Sequence, residues 1–390
     1  MNILVSLKTW FFENSPQTRL LKLFFILFLV VITLFAIRLG AQHDYPAHIE
    51  FWKQVLRGDN PWLGLDGKPT FKNTYPPLWQ PLALVYKIHW ILPKLLYVWL
   101  WAGMSYWLTA YAAENRNSTK WLPWAIGGFM FLNPHFWIEG PMFGHFDVIT
   151  GLFCLMAAHS INKKNEVKAG IALSLGLLIK LLPVVAVPFL VLKNKKINWK
   201  LLKGFSGVTF LGYGLAFLMW GKSVIAPFLF TGVSTHYHSI YTSVLYATDG
   251  RIDLTSYSNY LLLLALTIIF IINWFNKIDA LTLFVTILVC VMTFFKNGGI
   301  QYYDSLFFVI PYWLVARGDG LRSKPLSVYL ACIYLALVSL LNIFHHLMKP
   351  LADAILPAFD QKFGFFIFPV GICLLYSLVS FGKQLSTQYK

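Results

Sequence analysis

Long apolar runs separated by short polar ones set the pattern of this chain. "LLKLFFILFLVVITLFAI" (20–37) and "YLLLLALTIIFIINWF" (260–275) carry almost no charge. At about 1.5 Å of helix rise per residue, such runs approach the roughly 30 Å hydrocarbon thickness of a bilayer. The pattern predicts spans at about 20–40, 94–113, 121–139, 145–160, 201–220, 259–275, 279–295, 303–316, 326–344 and 364–382. The first run is too long for a signal-peptide core and no small-residue cleavage site follows it, so it is kept as a span. The stretch 169–192 lies between two basic loops, and a single crossing would put one of those loops on each side. Two short segments turning near "IKLLP" (179–183), where Pro183 breaks the helix, keep both loops together. The expected fold is therefore all-α, a polytopic membrane protein of about 10–12 transmembrane helices. It forms a single domain over 1–390, with a motif-bearing part at about 20–220 and C-terminal helices at about 259–382.

Composition agrees, with 57% hydrophobic and only 12% charged residues, against about one quarter charged in soluble domains. The formal charge is +16, and basic residues cluster in short loops: "KKNEVK" (163–168), "KNKKINWK" (193–200) and "RGDGLRSK" (317–324). Basic loops beside spans mark the cytoplasmic side, with contacts to anionic membrane lipids a secondary role. That distribution argues against nucleic acid as a partner. With Lys8, Arg19 and Lys22 inside, both termini are expected to be cytoplasmic and most distinctive polar segments extracytoplasmic, in a plasma (inner) membrane. Cys154, Cys290, Cys332 and Cys373 all lie in apolar runs without CxxC spacing and read as small core residues.

Residues 41–78 are too long and too rich in Pro, Trp and Gly for a simple connector. "HDYPAHIEFWKQVLRGDNPW" (43–62) predicts an amphipathic helix in the membrane interface, anchored by Trp52 and Trp62. Asp44 begins it, either as a helix N-cap or as a reactive acid. "NTYPPLWQP" (73–81) cannot continue a helix; it either leads into an interfacial helix at 79–92 or walls a cleft.

In "GPMFGHFD" (140–147) the glycines and Pro141 break the helix, so His145 and Asp147 open the next span at its N-terminus, near Glu139. Ionisable groups at membrane depth are costly and point to function. Lys180, inside an apolar run, either snorkels or binds an anion such as phosphate. The pairs His236/His238 and His345/His346 lack the spacing of a strong metal site. "NGGIQYYD" (297–304) either lines a sugar site or belongs to an interfacial tyrosine belt.

Taken in order, "HDYPAHIEFWKQVLRGDNPW", "YPPL" (75–78), "NPHFWIEGPMFGHFDVI" (133–149), "GLLIKLLPVVAVP" (176–188) and "QYYD" (301–304) resemble the GT-C superfamily of polytopic glycosyltransferases. The resemblance is strongest to glycosyltransferase family 87, the polyprenyl-phosphate-mannose-dependent α-mannosyltransferases, and weaker to the first mannosyltransferase of GPI synthesis. It implies an inverting hexosyltransferase, with mannose favoured. The donor would be a polyprenyl-phosphate sugar and the acceptor a glycolipid or glycan on the extracytoplasmic face. It implies Asp44 as catalytic base and donor-phosphate or acceptor contacts for His145, Asp147 and Lys180; His43, Tyr75, His236, Gln301 and Tyr302 in the distinctive polar segments are further candidate substrate-binding residues. Tyr45 and Pro46 stand where the family often has a second acid, so no metal and no other cofactor is expected.

Two rival classes share parts of this pattern. A transporter or flippase for lipid-linked glycans has intramembrane charges but needs no base-bearing first loop. A polymerase or ligase of such glycans centres on a large later loop, and 221–257 is only moderate in size.

Overall fold

A computed structural model describes residues 16–63, 75–114, 122–193, 195–231, 238–296, 299–318, 325–355 and 358–388. Lys8, His236, Gly298 and the end of the third basic loop (319–324) lie outside the described residues.

The chain is an all-α membrane protein. Among the described residues, the one β element pairs β1 (Leu192–Lys193) with β2 (Lys196–Ile197) in an antiparallel hairpin. Among these residues, five helical stretches are long and apolar enough to cross a membrane: Lys22–Leu39, Trp199–Leu229, Thr255–Asn276, Leu326–Leu347 and Phe359–Ser386. Their outer faces carry exposed Leu, Ile, Val and Phe, such as Leu27, Leu34, Leu218 and Leu263. An apolar face left exposed in this way is suited to lipid. Shorter helices fill the interior. We label the main ones α1 (Pro16–Leu39), α2 (Tyr45–Arg57), α3 (Leu82–Ile88), α4 (Leu92–Glu114), α5 (Leu122–Leu132), α6 (Asp147–Asn162), α7 (Glu166–Ile179), α8 (Trp199–Trp220), α9 (Ile240–Ala247), α10 (Ser258–Asn276), α11 (Ala280–Phe294), α12 (Asp304–Ala316), α13 (Pro325–Asn342) and α14 (Gly364–Gln388).

The turn expected near "IKLLP" is present. Helices α7 and α8 run parallel, with Ser174 bonded to Thr209 at 2.7 Å and Gly170 and Gly204 packed against backbone of the opposite helix. A side chain at either glycine would collide with a carbonyl, so small residues permit the close approach. Parallel neighbours require the chain to double back between them. It does so through extended Lys180, a 3-10 turn at Leu182–Ala186, a short helix at Val187–Val191 and the β hairpin. Both basic loops, 163–168 and 193–200, therefore share one end of the bundle. Arg317 joins them there, gripping Asp279 at 3.0 and 2.9 Å and Asn162 at 2.7 Å.

Four expectations are corrected. The span expected at 121–139 stops at Leu132, where Asn133 accepts the His135 amide at 2.9 Å and Pro134 starts a new turn. A π-helical turn, Ile138–Phe143, follows. The interfacial helix expected at 79–92 is a 3-10 turn (Pro77–Trp79) and the short α3, ended by extended His89. Trp52 and Trp62 are fully buried and anchor nothing at the interface. Their indoles donate to the carbonyls of Trp79 (3.1 Å) and Tyr75 (2.8 Å), so they bind the first loop to itself. Cys154 and Cys290 are core residues, but Cys332 and Cys373 face outward.

Candidate active site

The candidate residues gather at the end of the bundle opposite the basic loops. Three pieces of chain meet there: the start of α2, the π-turn leading into α6, and the Lys180 break.

Asp44 holds the N-cap position of α2, yet its side chain makes no capping bond. Pro46 in the first turn supplies no amide hydrogen. The carboxylate is free to face His43, 3.4 Å from Nδ1 to Oδ1, and His145, 3.4 Å from Nε2 to Oδ2. His145 first, then His43, holds the Asp44 carboxyl far below the usual carboxylate range, and burial opposes them only partly. Both imidazoles therefore favour the ionised acid.

His145 owes its position to Gly144. That residue has φ +72°, and a Cβ there would meet the Tyr45 ring at 2.9 Å. Only glycine combines left-handed backbone with that contact at low cost. Tyr45 is fixed in turn, donating to Trp90 O at 2.7 Å and accepting the Lys94 amide at 3.2 Å. Lys94 ties the end of α1 to the π-turn by donating to the carbonyls of Gly40 (2.6 Å) and Met142 (3.2 Å).

Behind His145 a chain of buried polar groups runs into the bundle. Nδ1 of His145 contacts the carboxylate of buried Glu139. The Asn342 amide donates to Glu139 Oε1 at 2.7 Å and to His135 Nδ1 at 2.9 Å. His135 therefore carries its proton on Nε2 and donates it to Asp304 Oδ1 at 2.6 Å. Burial weighs most on His145 and disfavours its charge, but Glu139 and Asp44 together outweigh it and raise the imidazole to about 10. The two carboxylates thus favour a proton on His145, whose Nε2 faces Asp44.

A second cluster lies alongside. Lys180 binds Asp147 directly and rests over the Tyr302 ring, 3.3 Å from its centroid. Lys180 does not snorkel outward. Because α7 ends at Ile179, its side chain turns inward onto the first residue of α6. Tyr75 stands between the clusters, stacked on Trp79 at 4.4 Å. Burial chiefly, and then the charges of Asp44 and Asp147, holds its phenol neutral. The first-loop wall is bolted to the break by the Trp79 indole, which donates to Ile179 O at 3.2 Å.

His43, Asp44, Tyr75, His145, Asp147, Lys180 and Tyr302 are thus brought together. Gln301 lies in the same 3-10 turn as Tyr302 (Ile300–Tyr303), with its amide beside Gly299. His236 lies outside the described residues. Asn342, His135 and Asp304 also belong to the site; polar residues set inside apolar runs are the sequence signal for them.

This end of the molecule thus pairs an ionised acid, held by two imidazoles, with a lysine set back under an aromatic wall. The family model for glycosyltransferase family 87 matches residues 73–301, more than half of the chain. The protein belongs to glycosyltransferase family 87. No curated protein matches it. Tyr75, His145, Asp147, Lys180 and Gln301 fall within the matched stretch, while His43 and Asp44 precede it and Tyr302 follows. As a family 87 member the chain is a membrane-embedded glycosyltransferase, acting on a sugar donor and an acceptor.

Proposed function

We propose that the protein transfers a hexosyl unit, foremost mannosyl, from a polyprenyl-phosphate-linked sugar to a glycolipid or glycan acceptor. Transfer occurs on the extracytoplasmic face of the plasma membrane, with both termini cytoplasmic. The observation that carries the reading is the disposition of Asp44, a carboxylate that makes no capping bond and faces His145 at the lip of the bundle. Basic loops clustered at the opposite end favour the same orientation.

In the reaction the acceptor hydroxyl oxygen attacks C1 of the sugar from the face opposite the phosphate. Its proton passes to Asp44, the C1–O bond to phosphate breaks, and polyprenyl phosphate departs with the bonding pair. Configuration at C1 inverts. An in-place base is worth about 10²–10⁴ in rate, and cationic groups facing the leaving oxygen about 10²–10³. Lys180 is suited to the second task, since its ammonium has three donors and Asp147 accepts from it. Tyr75 and Tyr302 offer the sugar ring faces and hydroxyls. The exposed apolar face of α1, including Leu27 and Leu34, ends beside this site at Gly40 and gives the prenyl chain a path from the bilayer.

The test supplies purified protein in nanodiscs with polyprenyl-phosphate sugars (mannose, glucose, galactose, arabinose) and, separately, nucleotide-linked mannose, each with a panel of glycolipid acceptors. New glycosidic product from a lipid donor alone supports the reading. Product from the nucleotide sugar alone contradicts it, and movement of donor between leaflets without a new bond points to a transporter.

A further inference from the structure

The acid and the two imidazoles do more than face one another. Nδ1 of His43 and Nε2 of His145 are 3.2 Å apart; Asp44 presents Oδ1 to the first and Oδ2 to the second, each at 3.4 Å, and one donor atom from each of the three residues lies within 4.8 Å of the others. Two ring nitrogens and a carboxylate thus converge on one point, and a cation between them is attracted by a donor atom of each residue.

The spacing of the two imidazole nitrogens, 3.2 Å, is close to that of two ligands on one ion. Three ligands at the usual zinc distances of about 2.0–2.2 Å lie about 3.3–3.5 Å from one another when tetrahedral. Two imidazole nitrogens and one carboxylate oxygen are a donor set for a borderline transition metal, unsuited to magnesium or calcium. His145 also has the outer partner that metal-binding histidines usually have, since its other nitrogen meets the Glu139 carboxylate. His43 adopts left-handed backbone, φ +50°, which brings its ring onto the Phe143 face at 4.6 Å and its Nδ1 to the point where the three converge. The expectation that no cofactor is needed rested on the missing second acid of a carboxylate pair; here the further donors are histidines.

We propose that His43, Asp44 and His145 bind one zinc-class divalent cation, and that an ion there occupies the base and suppresses sugar transfer. The second half rests on the function proposed above; the first stands apart from it. Side-chain exposures of 46% for His43 and 51% for Asp44 leave a fourth position open to water.

The experiment uses chelator-treated, full-length protein in nanodiscs titrated with cobalt(II) alone. Visible absorption of low-coordinate cobalt, saturating at one ion per chain and displaced by zinc, is the expected result. His43→Ala, a change at a half-exposed residue, should weaken that binding at least tenfold. Zinc should raise the melting temperature of wild type and not of this variant. Absence of the cobalt bands, or equal binding by His43→Ala, overturns the site. In the activity arm, zinc should lower wild-type transfer at least tenfold and a chelator should restore it. Unchanged or faster transfer by zinc-loaded protein overturns the blocking role while leaving the spectroscopic result independent of the donor assay.

Discussion

Asp44 stands at the head of α2 but turns its carboxylate to His145, 3.4 Å away and 101 positions along the chain. An acid at a helix start ordinarily accepts a nearby amide hydrogen, which is worth about 1 kcal/mol. Asp44 makes no such bond. It gives up local stabilisation for a contact between distant segments, the arrangement expected of a side chain kept for chemistry.

The same logic extends to Lys180 and Asp147, which join two helix ends in a largely buried pair. Removing one partner of a buried pair costs about 3–5 kcal/mol, because the other charge is left uncompensated. Lys180→Met and Asp147→Asn should each lower the unfolding midpoint in detergent, and the double variant should lose less than the two separate losses combined. Transfer should fall roughly 10²–10³-fold in Lys180→Met, and the double variant should not recover it. Thermal melts with initial rates separate the structural effect from the catalytic one.

Gly144 offers a conformational test. Alanine there must adopt left-handed backbone, at about 1–2 kcal/mol, and its methyl meets Tyr45 and Lys94. We expect Gly144→Ala to melt lower and to lose activity as His145 shifts. Gly140, four residues earlier, has only the Val98 side chain at 3.9 Å near a built Cβ. Gly140→Ala should be milder on both counts.

His48 sets an acid limit on stability. It is buried among Tyr45, Trp52, Tyr75, Trp79 and Phe146, and burial pushes its imidazole down to about 3. A histidine depressed in the folded state contributes nothing adverse above its unfolded value of about 6.5. Below that value the unfolded chain binds the proton first, and stability falls by about 1.4 kcal/mol per pH unit down to about pH 3. Wild-type melting should therefore drop between pH 6.5 and 4, and His48→Phe should flatten that drop. Equal slopes in the two proteins would show that other groups carry the acid sensitivity.

Much of the helical frame was legible in the sequence. Helices Ser258–Asn276, Ala280–Phe294 and Asp304–Ala316 lie where spans were expected at 259–275, 279–295 and 303–316, and of the three only the first is long and apolar enough to cross a membrane. Apolar runs ended by polar or charged residues define such boundaries locally. The doubling back at Lys180 was also readable, from the basic loops that flank it. The break at Asn133–Pro134 was not, because the apolar character continues through Phe136, Trp137 and Ile138. Trp52 and Trp62 read as interface anchors because composition alone does not separate a buried indole from one at the headgroups. The chain from Glu139 through Asn342 and His135 to Asp304 was beyond reach for a different reason. Its members lie up to 207 positions apart, and only the packing of α12 and α13 against the π-turn joins them. Asp44, His145 and Lys180 could be named individually, but neither their grouping nor the release of Asp44 from capping is a property of any local pattern.

The central claim is that Asp44 is the base, and Asp44→Asn tests it most directly. The substitution keeps the size of a half-exposed side chain and removes its ability to take a proton. Initial rates of transfer from the lipid-linked donor would be compared for wild type and variant in nanodiscs, alongside donor binding and thermal melts. We predict unchanged folding, donor affinity within a few-fold, and a rate lower by about 10²–10⁴. A folded Asp44→Asn protein that transfers sugar at the wild-type rate would contradict the assignment and move the base to another acid of the site, Asp147 first.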